Sequence, residues 1–400
     1  MGQVRWAGWT VAVATALVIS GLQSAQADVA SDKPAAIVVY PKIIVDGGRG
    51  IDTVIRLTNT NPTTPIEAHC FYIDANSHCS GGLGAGQVCE DASTCGGGVC
   101  VPGWNETDFR IILTAGQPIQ WEASDGLPGP DGGVPIPTGV CTGNQFFTCG
   151  VDADCTPFPG GVCTQSNAGT RIPPTAEDPF KGELKCIAVD ANGTPVARNE
   201  LKGEALIETV VTGTEANFDV ASYNAIGVQA TGAAGSAITD SPLTLGPGSS
   251  GDYNGCPNIL ILNHFFDDAA DPVPGGTSDI TTDLTLVPCT EDFLRQVGGS
   301  AVVQYLVFNE FEQRFSTSRG VNCFQEIPLC NIDTPQCSRS LWNVNVAGTL
   351  SGQTRLSPLG SGLLGVAIET HTPSSGRARS AAFNLHFSGS RDNADLITLP

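Results

Sequence analysis

Two clusters of four cysteines, set in glycine-rich text, constrain this chain more than any other feature. Cys79, Cys89, Cys95 and Cys100 form the first cluster, and Cys141, Cys149, Cys155 and Cys163 form the second. The local text repeats as well. Val88-Cys89-Glu90-Asp91-Ala92-Ser93-Thr94-Cys95 is echoed by Thr148-Cys149-Gly150-Val151-Asp152-Ala153-Asp154-Cys155, and each copy runs on into Gly-Gly-Val-Cys. These segments hold almost no large apolar residues, so they cannot bury a core of their own. Two cross-links per copy would hold each shape instead, each stabilising by about 2–4 kcal/mol through lost entropy of the unfolded chain. Zinc is the rival reading, but its ligands usually stand two to four residues apart, a window these spacings mostly miss.

Seven further cysteines complete the fifteen: Cys70, Cys186, Cys256, Cys289, Cys323, Cys330 and Cys337. Seven is odd, so at least one thiol stays free or pairs with another chain. Cys70 and Cys186 lie in similar strand-like text, His69-Cys70-Phe71-Tyr72-Ile73-Asp74-Ala75-Asn76 and Lys185-Cys186-Ile187-Ala188-Val189-Asp190-Ala191-Asn192. A bridge between them would join adjacent strands around the intervening insertions. The remaining connectivity is left open by the sequence.

The compartment follows from the N-terminus. Arg5 gives a short positive start, Trp9 to Leu22 is apolar, and Ala25-Gln26-Ala27 supplies small residues at cleavage spacing. This is the pattern of a secretory signal peptide over residues 1–27, with Asp28 as the first mature residue. The apolar run is shorter than the roughly 20 residues that span a bilayer, and no later stretch is long enough. Export to an oxidising compartment agrees with disulfides. The expected location is extracellular or at the outer cell surface, with the periplasm as a further option.

Removing residues 1–27 takes away Arg5 and no acid, leaving 18 basic against 40 acidic residues, a net charge of −22. Such a surface repels nucleic acid and anionic lipid, and it draws divalent cations weakly. Gly and Pro together supply 75 of 400 residues, which suits frequent turns between short strands.

Strand signals dominate. Ile280, Thr282, Leu284 and Leu286 alternate with Thr281, Asp283 and Thr285; Trp342, Val344 and Val346 alternate with Asn343, Asn345 and Ala347; Phe383, Leu385 and Phe387 alternate with Asn384, His386 and Ser388. This period of two puts one face on a core and the other in water. One short helical turn is expected from Glu291 to Val297, capped by Thr290 and stopped by Gly298. Ile37 to Val45 reads as a strand whose Pro41 belongs on an edge. Gly47-Gly48 then turns the chain into a strand from Val54 to Thr58, and a loop from Asn59 to Pro65 leads to a third strand from Ile66 to Asp74.

That strand order resembles the opening of immunoglobulin-like domains of the PapD/major-sperm-protein type, over about 40 residues and without site residues. Val303 to Asn309 followed by Asn322-Cys323-Phe324 is a weaker echo of it. The resemblance implies an all-β chain of two immunoglobulin-like β-sandwich domains with disulfide-rich loop insertions. The first would span 28–230, with insertions at about 76–104 and 124–180. A Gly/Ala/Ser-rich linker would follow at 231–255, and a second sandwich at 256–400. The cysteine-rich repeats look like those of uncharacterised surface proteins of myxobacteria and their relatives, a similarity that carries no activity.

No catalytic motif stands out. HExxH, G-x-S-x-G, a P-loop and C-x-x-C-H are absent from the sequence, and no G-x-G-x-x-G follows a strand with a helix after it. His69 and His78 each precede a cysteine or lie beside one, which permits a metal site, although a strand histidine and a loop histidine are the plainer readings. His386 is expected on a wet sheet face. Asp152 with Asp154, and Asp267, Asp268 and Asp271, do not match the twelve-residue calcium loop. No catalytic residue, metal ligand or cofactor is assigned, with calcium bound in loops kept as a weak alternative. The expected function is a non-catalytic structural or binding protein, for adhesion or matrix, whose partner is an extracellular protein or polymer. The alternative is a secreted hydrolase, calcium-dependent or not, acting on an extracellular polymer. Self-association is a third option, with Ile37 to Val45 donated to a neighbour's open sheet edge.

Overall fold

The computed structural model describes residues 29–89, 91–101, 103–127, 139–141, 144–149, 155–156, 161–162, 172–211, 217–247, 251–269, 278–373 and 377–400. The signal-peptide stretch 1–27 lies outside them, as do Asp152, Asp154, Asp271 and Cys163.

The chain is nearly all-β, as its period-two patterning implies. Four large sheets carry most of it. The first has the order β13 (Ile226–Val228), β1 (Ile37–Val45), β10 (Phe180–Val189), β3 (Ile66–Asp74), β6 (Asn105–Leu113). The second is β12 (Asn217–Asn224), β11 (Leu201–Val211), β2 (Ile51–Asn59), β7 (Pro118–Glu122). The third is β21 (Arg314–Asn322), β20 (Ser300–Asn309), β23 (Ser351–Gly360), β16 (Pro257–Phe265), β26 (His386–Ser390). The fourth is β22 (Gln325–Pro328), β17 (Ser278–Pro288), β24 (Leu363–Pro373), β25 (Arg379–Asn384). A smaller sheet joins β15 (Tyr253–Asn254), β14 (Leu243–Gly246), β27 (Asp395–Thr398), β18 (Glu291–Asp292) and β19 (Val297–Gly298). Two hairpins complete the set, β4 (His78–Ser80) with β5 (Val99–Val101), and β8 (Gly139–Cys141) with β9 (Asn144–Cys149).

The sheets are arranged as a four-bladed β-propeller, which corrects the expectation of two immunoglobulin-like sandwiches. The reason lies in which faces are covered. A sandwich sheet buries one face, whereas the fourth sheet is apolar on both. Leu284, Leu286, Leu363 and Ala367 pack with Leu260, Val303 and Leu356 of the third sheet. Val287, Leu364, Val366 and Ile368 enter a second core with Ile37, Val39, Ile187 and Phe71 of the first. At the sheet edges the Ser380 amide donates to Asp219 Oδ2 at 2.8 Å, and Asn384 Nδ2 donates to the Asn224 carbonyl at 2.7 Å, tying β25 to β12. Stacking therefore continues from one half of the chain into the other.

Other expectations change locally. The 231–255 stretch is built into the small sheet rather than hanging free: Leu243, Leu245 and Tyr253 are buried, and β14 pairs with β27 at the far end of the chain. The helical turn from Glu291 to Val297 is a hairpin instead, β18 against β19, because the Asp292 carboxylate takes the Arg295 amide at 2.9 Å and Gln296 adopts φ 53°. The alternation at Trp342 to Val346 ends in a short helix, Val344–Ala347, because Asn343 caps it through the Asn345 amide and Gly348 closes it at φ 74°. Phe383 to Ser388 divides between two blades at buried Leu385. Ile37 to Val45 is an interior strand with nearly every residue buried, paired along its length with β10 and over Ile37–Val39 with β13. Pro41 sits where the β1–β10 register shifts, a position that needs no ladder donor.

No helix among the described residues is long and apolar enough to cross a membrane.

Candidate functional site

The first cysteine-rich insertion projects between β3 and β6 and has its own interior, made of sulfur. Cys79 bonds Cys95 and Cys89 bonds Cys100, so the two links cross. Cys79, Cys89 and Cys95 are buried against one another with Cys100 beside them, apart from the main cores. Asp91 caps a turn of 3-10 helix by accepting from the Ser93 amide at 2.8 Å, and Gly96 ends it at φ 56°. A Cβ on Gly82, itself at φ +75°, would stand 2.1 Å from the Cys95 carbonyl oxygen; one on Gly98 would stand 2.1 Å from that of Gly81. Glycine here permits backbone-to-backbone packing that no side chain allows. At the tip Leu83 is 96% exposed, a large apolar side chain held in water by a covalently closed loop.

In the second insertion Cys155 is buried and disulfide-bonded. Cys141 and Cys149 lie on β8 and β9, and their side chains, like Cys163, are outside the description. Cys70 and Cys186 are bonded to each other, directly opposite across β3 and β10. Cys256 bonds Cys289, Cys330 bonds Cys337, and Cys323 is a free, half-buried thiol whose titration burial pushes up.

At the root of the first insertion three ionisable side chains converge. Asp74 ends β3 and is buried, His78 begins β4, and Glu177 comes from the segment that leads out of the second insertion into β10. His78 Nε2 lies 2.9 Å from Glu177 Oε2, and Asn76 Nδ2 donates to Glu177 Oε1 at 2.5 Å and to the Pro179 carbonyl at 2.8 Å. The Asn76 amide donates to Asp74 Oδ1 at 2.9 Å. Burial pushes the Asp74 carboxyl up to about 7, against the Asn76 amide bond, with contact to the Glu177 carboxylate adding to the rise. Burial also disfavours charge on Glu177, but the hydrogen bonds from His78, Asn76 and Asp74 outweigh it and hold Glu177 below the usual carboxylate range. In the sequence, His78 stands out only through its neighbour Cys79. Glu177 lies about a hundred residues away, and nothing in its local sequence marks it.

The other expected positions are dispersed. His69 pairs with Asp108 at 2.8 Å between β3 and β6, and His386 is exposed. Asp267 is buried and pushed up to about 7 by burial and then by Asp268, whose carboxylate accepts from Asn343 Nδ2 at 2.7 Å. A shallow cleft lined by His264, Glu310 and Glu369 brings a histidine near carboxylates. Both nitrogens of that buried histidine are already engaged, with the Phe265 carbonyl at 2.9 Å and Thr354 Oγ1 at 2.8 Å, which leaves it no free base.

No family model and no curated protein matches the chain.

Proposed function

We propose that this is an exported, non-catalytic binding or matrix protein of the cell exterior, in which a rigid β scaffold presents disulfide-closed loops to an extracellular protein or polymer. The observation that carries this reading is Leu83, 96% exposed at the tip of a loop locked by the crossed Cys79–Cys95 and Cys89–Cys100 bonds. An exposed apolar side chain on a flexible loop would collapse onto the nearest apolar surface. On a closed loop it stays available, and ordering it on contact costs little entropy. Rigid scaffolds commonly carry recognition on such loops. The resemblance of the repeats to myxobacterial surface proteins points to the same location.

The test is fractionation of the producing cells with wild type beside Leu83→Asp. Wild type is expected to sediment with the envelope, and the variant to appear in the medium. Wild-type protein found entirely as a free monomer in the medium would overturn the reading.

A further inference from the structure

We infer that Asp74, His78 and Glu177 form a binding site for a first-row divalent cation such as Zn²⁺ or Mn²⁺, which pins together the roots of the two cysteine-rich insertions. Of the four groups of ligand-type side chains that come within 4.8 Å of one another among the described residues, three include sulfur tied up in disulfides, which cannot ligate as thiolate. The fourth is Asp74 with His78 and Glu177.

Three features mark it as a site rather than a crowded loop. The donor set is one imidazole and two carboxylates, which suits zinc, manganese or iron; calcium prefers six or more oxygens. One oxygen of each carboxyl and one ring nitrogen of His78 lie within 4.8 Å of one another, close enough for a single cation to meet all three. The donors are also held from behind. Asn76 bonds both carboxyl groups through its amide and side chain, and its side chain also reaches the Pro179 carbonyl, the kind of outer support that orients metal ligands. Asp74 is deep, while His78 and Glu177 each keep 24% side-chain exposure, which leaves a side open for entry and for water ligands.

Chain topology adds a reason for such a site. Asp74 and His78 flank the start of the first insertion, and Glu177 follows the second, so one cation would join segments that are about a hundred residues apart. The net negative charge of the chain raises the local cation concentration. The site stands independently of whether the Leu83 loop has a partner.

The experiment is calorimetric titration of the untagged, disulfide-intact mature chain, stripped with chelator, with Zn²⁺, Mn²⁺ and Ca²⁺ separately. The expected result is one saturable equivalent for Zn²⁺ or Mn²⁺, none for Ca²⁺, and affinity weakened roughly 100-fold in Glu177→Gln and in His78→Gln. His78 is partly exposed, so the second variant keeps the test decisive should Glu177→Gln fail to fold. Absence of saturable binding, binding of Ca²⁺ alone, or unchanged affinity in a folded variant would each overturn the site.

Discussion

Cys70 stands directly opposite Cys186 across two neighbouring antiparallel strands, with Cα atoms 4.0 Å apart, and the two are bonded. Close approach of this kind belongs to a non-hydrogen-bonded cross-strand pair, where facing side chains lie nearest. The bond joins the strand that enters the first insertion to the strand that leaves the second. Both insertions therefore hang from one covalent clamp at the buried centre of the first blade.

Removing that clamp should cost global stability. The bond closes a loop of 116 residues in sequence, which on chain entropy alone corresponds to about 5 kcal/mol, lessened by residual structure in the unfolded chain. Cys70→Ala with Cys186→Ala is expected to lose about 2–5 kcal/mol in urea unfolding. A loss under about 1 kcal/mol would mean that the strands hold without it.

The sulfur-cored loop should respond differently. Gly82→Ala places a Cβ against the Cys95 carbonyl oxygen in a left-handed backbone, so the loop must open. Its sulfur cluster is separate from the main cores, so the global unfolding midpoint should move by less than about 1 kcal/mol. Limited proteolysis between residues 80 and 100 should accelerate. A fall in global stability equal to that of a core mutation would contradict the loop's independence.

A buried polar chain in the core between the third and fourth sheets predicts a pH dependence. Trp342 Nε1 donates to Thr354 Oγ1 at 2.9 Å, Thr354 donates to His264 Nε2, and His264 Nδ1 donates to the Phe265 carbonyl. Burial pulls His264 down to about 4. The unfolded imidazole takes a proton near 6.5, so between about 6.5 and 4 the unfolded state binds more protons and stability falls as pH falls. The loss approaches about 3 kcal/mol at the bottom of that window. Comparing wild type with His264→Asn isolates this contribution from carboxyls such as Asp267 that titrate in the same range with opposite sign. The difference should grow smaller on acidification, and a constant difference would refute the assignment.

Between the first blade and the small sheet, Lys185 Nζ lies 2.5 Å from Glu291 Oε2, 3.0 Å from Glu183 Oε2 and 3.2 Å from the Pro288 carbonyl, all buried. Burial and the neighbouring Glu291 push Glu183 well up, and Lys185 lies within ion-pair distance of both glutamates. Burial alone would lower Lys185, but the two glutamates prevail and raise it. Lys185→Met strands a buried carboxylate and is expected to cost about 3 kcal/mol or more. The exposed, solvent-screened Arg295–Asp292 pair should change stability far less when broken. Equal effects in thermal unfolding would contradict the contrast.

Local strand pattern and cysteine chemistry were legible from the sequence, because period-two alternation and paired spacing are short-range signals. Ile280, Thr282, Leu284 and Leu286 are all buried along β17 as that alternation implies. The blade arrangement was not legible. It depends on Thr285, Val287 and Val366 burying the opposite face of the same blade, and a one-face pattern does not report that. Trp342 to Val346 alternates like a strand, yet the Asn343 cap and Gly348 decide it as a helix. At the candidate cation site His78 carried a faint signal, while Glu177 carried none, since only the fold brings it to Asp74.

The covalent pattern of the displayed loop is the claim on which the account turns, and a non-reducing peptide map by mass spectrometry reads it directly. The map should join Cys79 to Cys95 and Cys89 to Cys100, with Cys70 linked to Cys186 and Cys323 alkylated as a free thiol. Peptides joining Cys79 to Cys100, its facing residue in the hairpin, or fully reduced thiols in place of the crossed links, would contradict it.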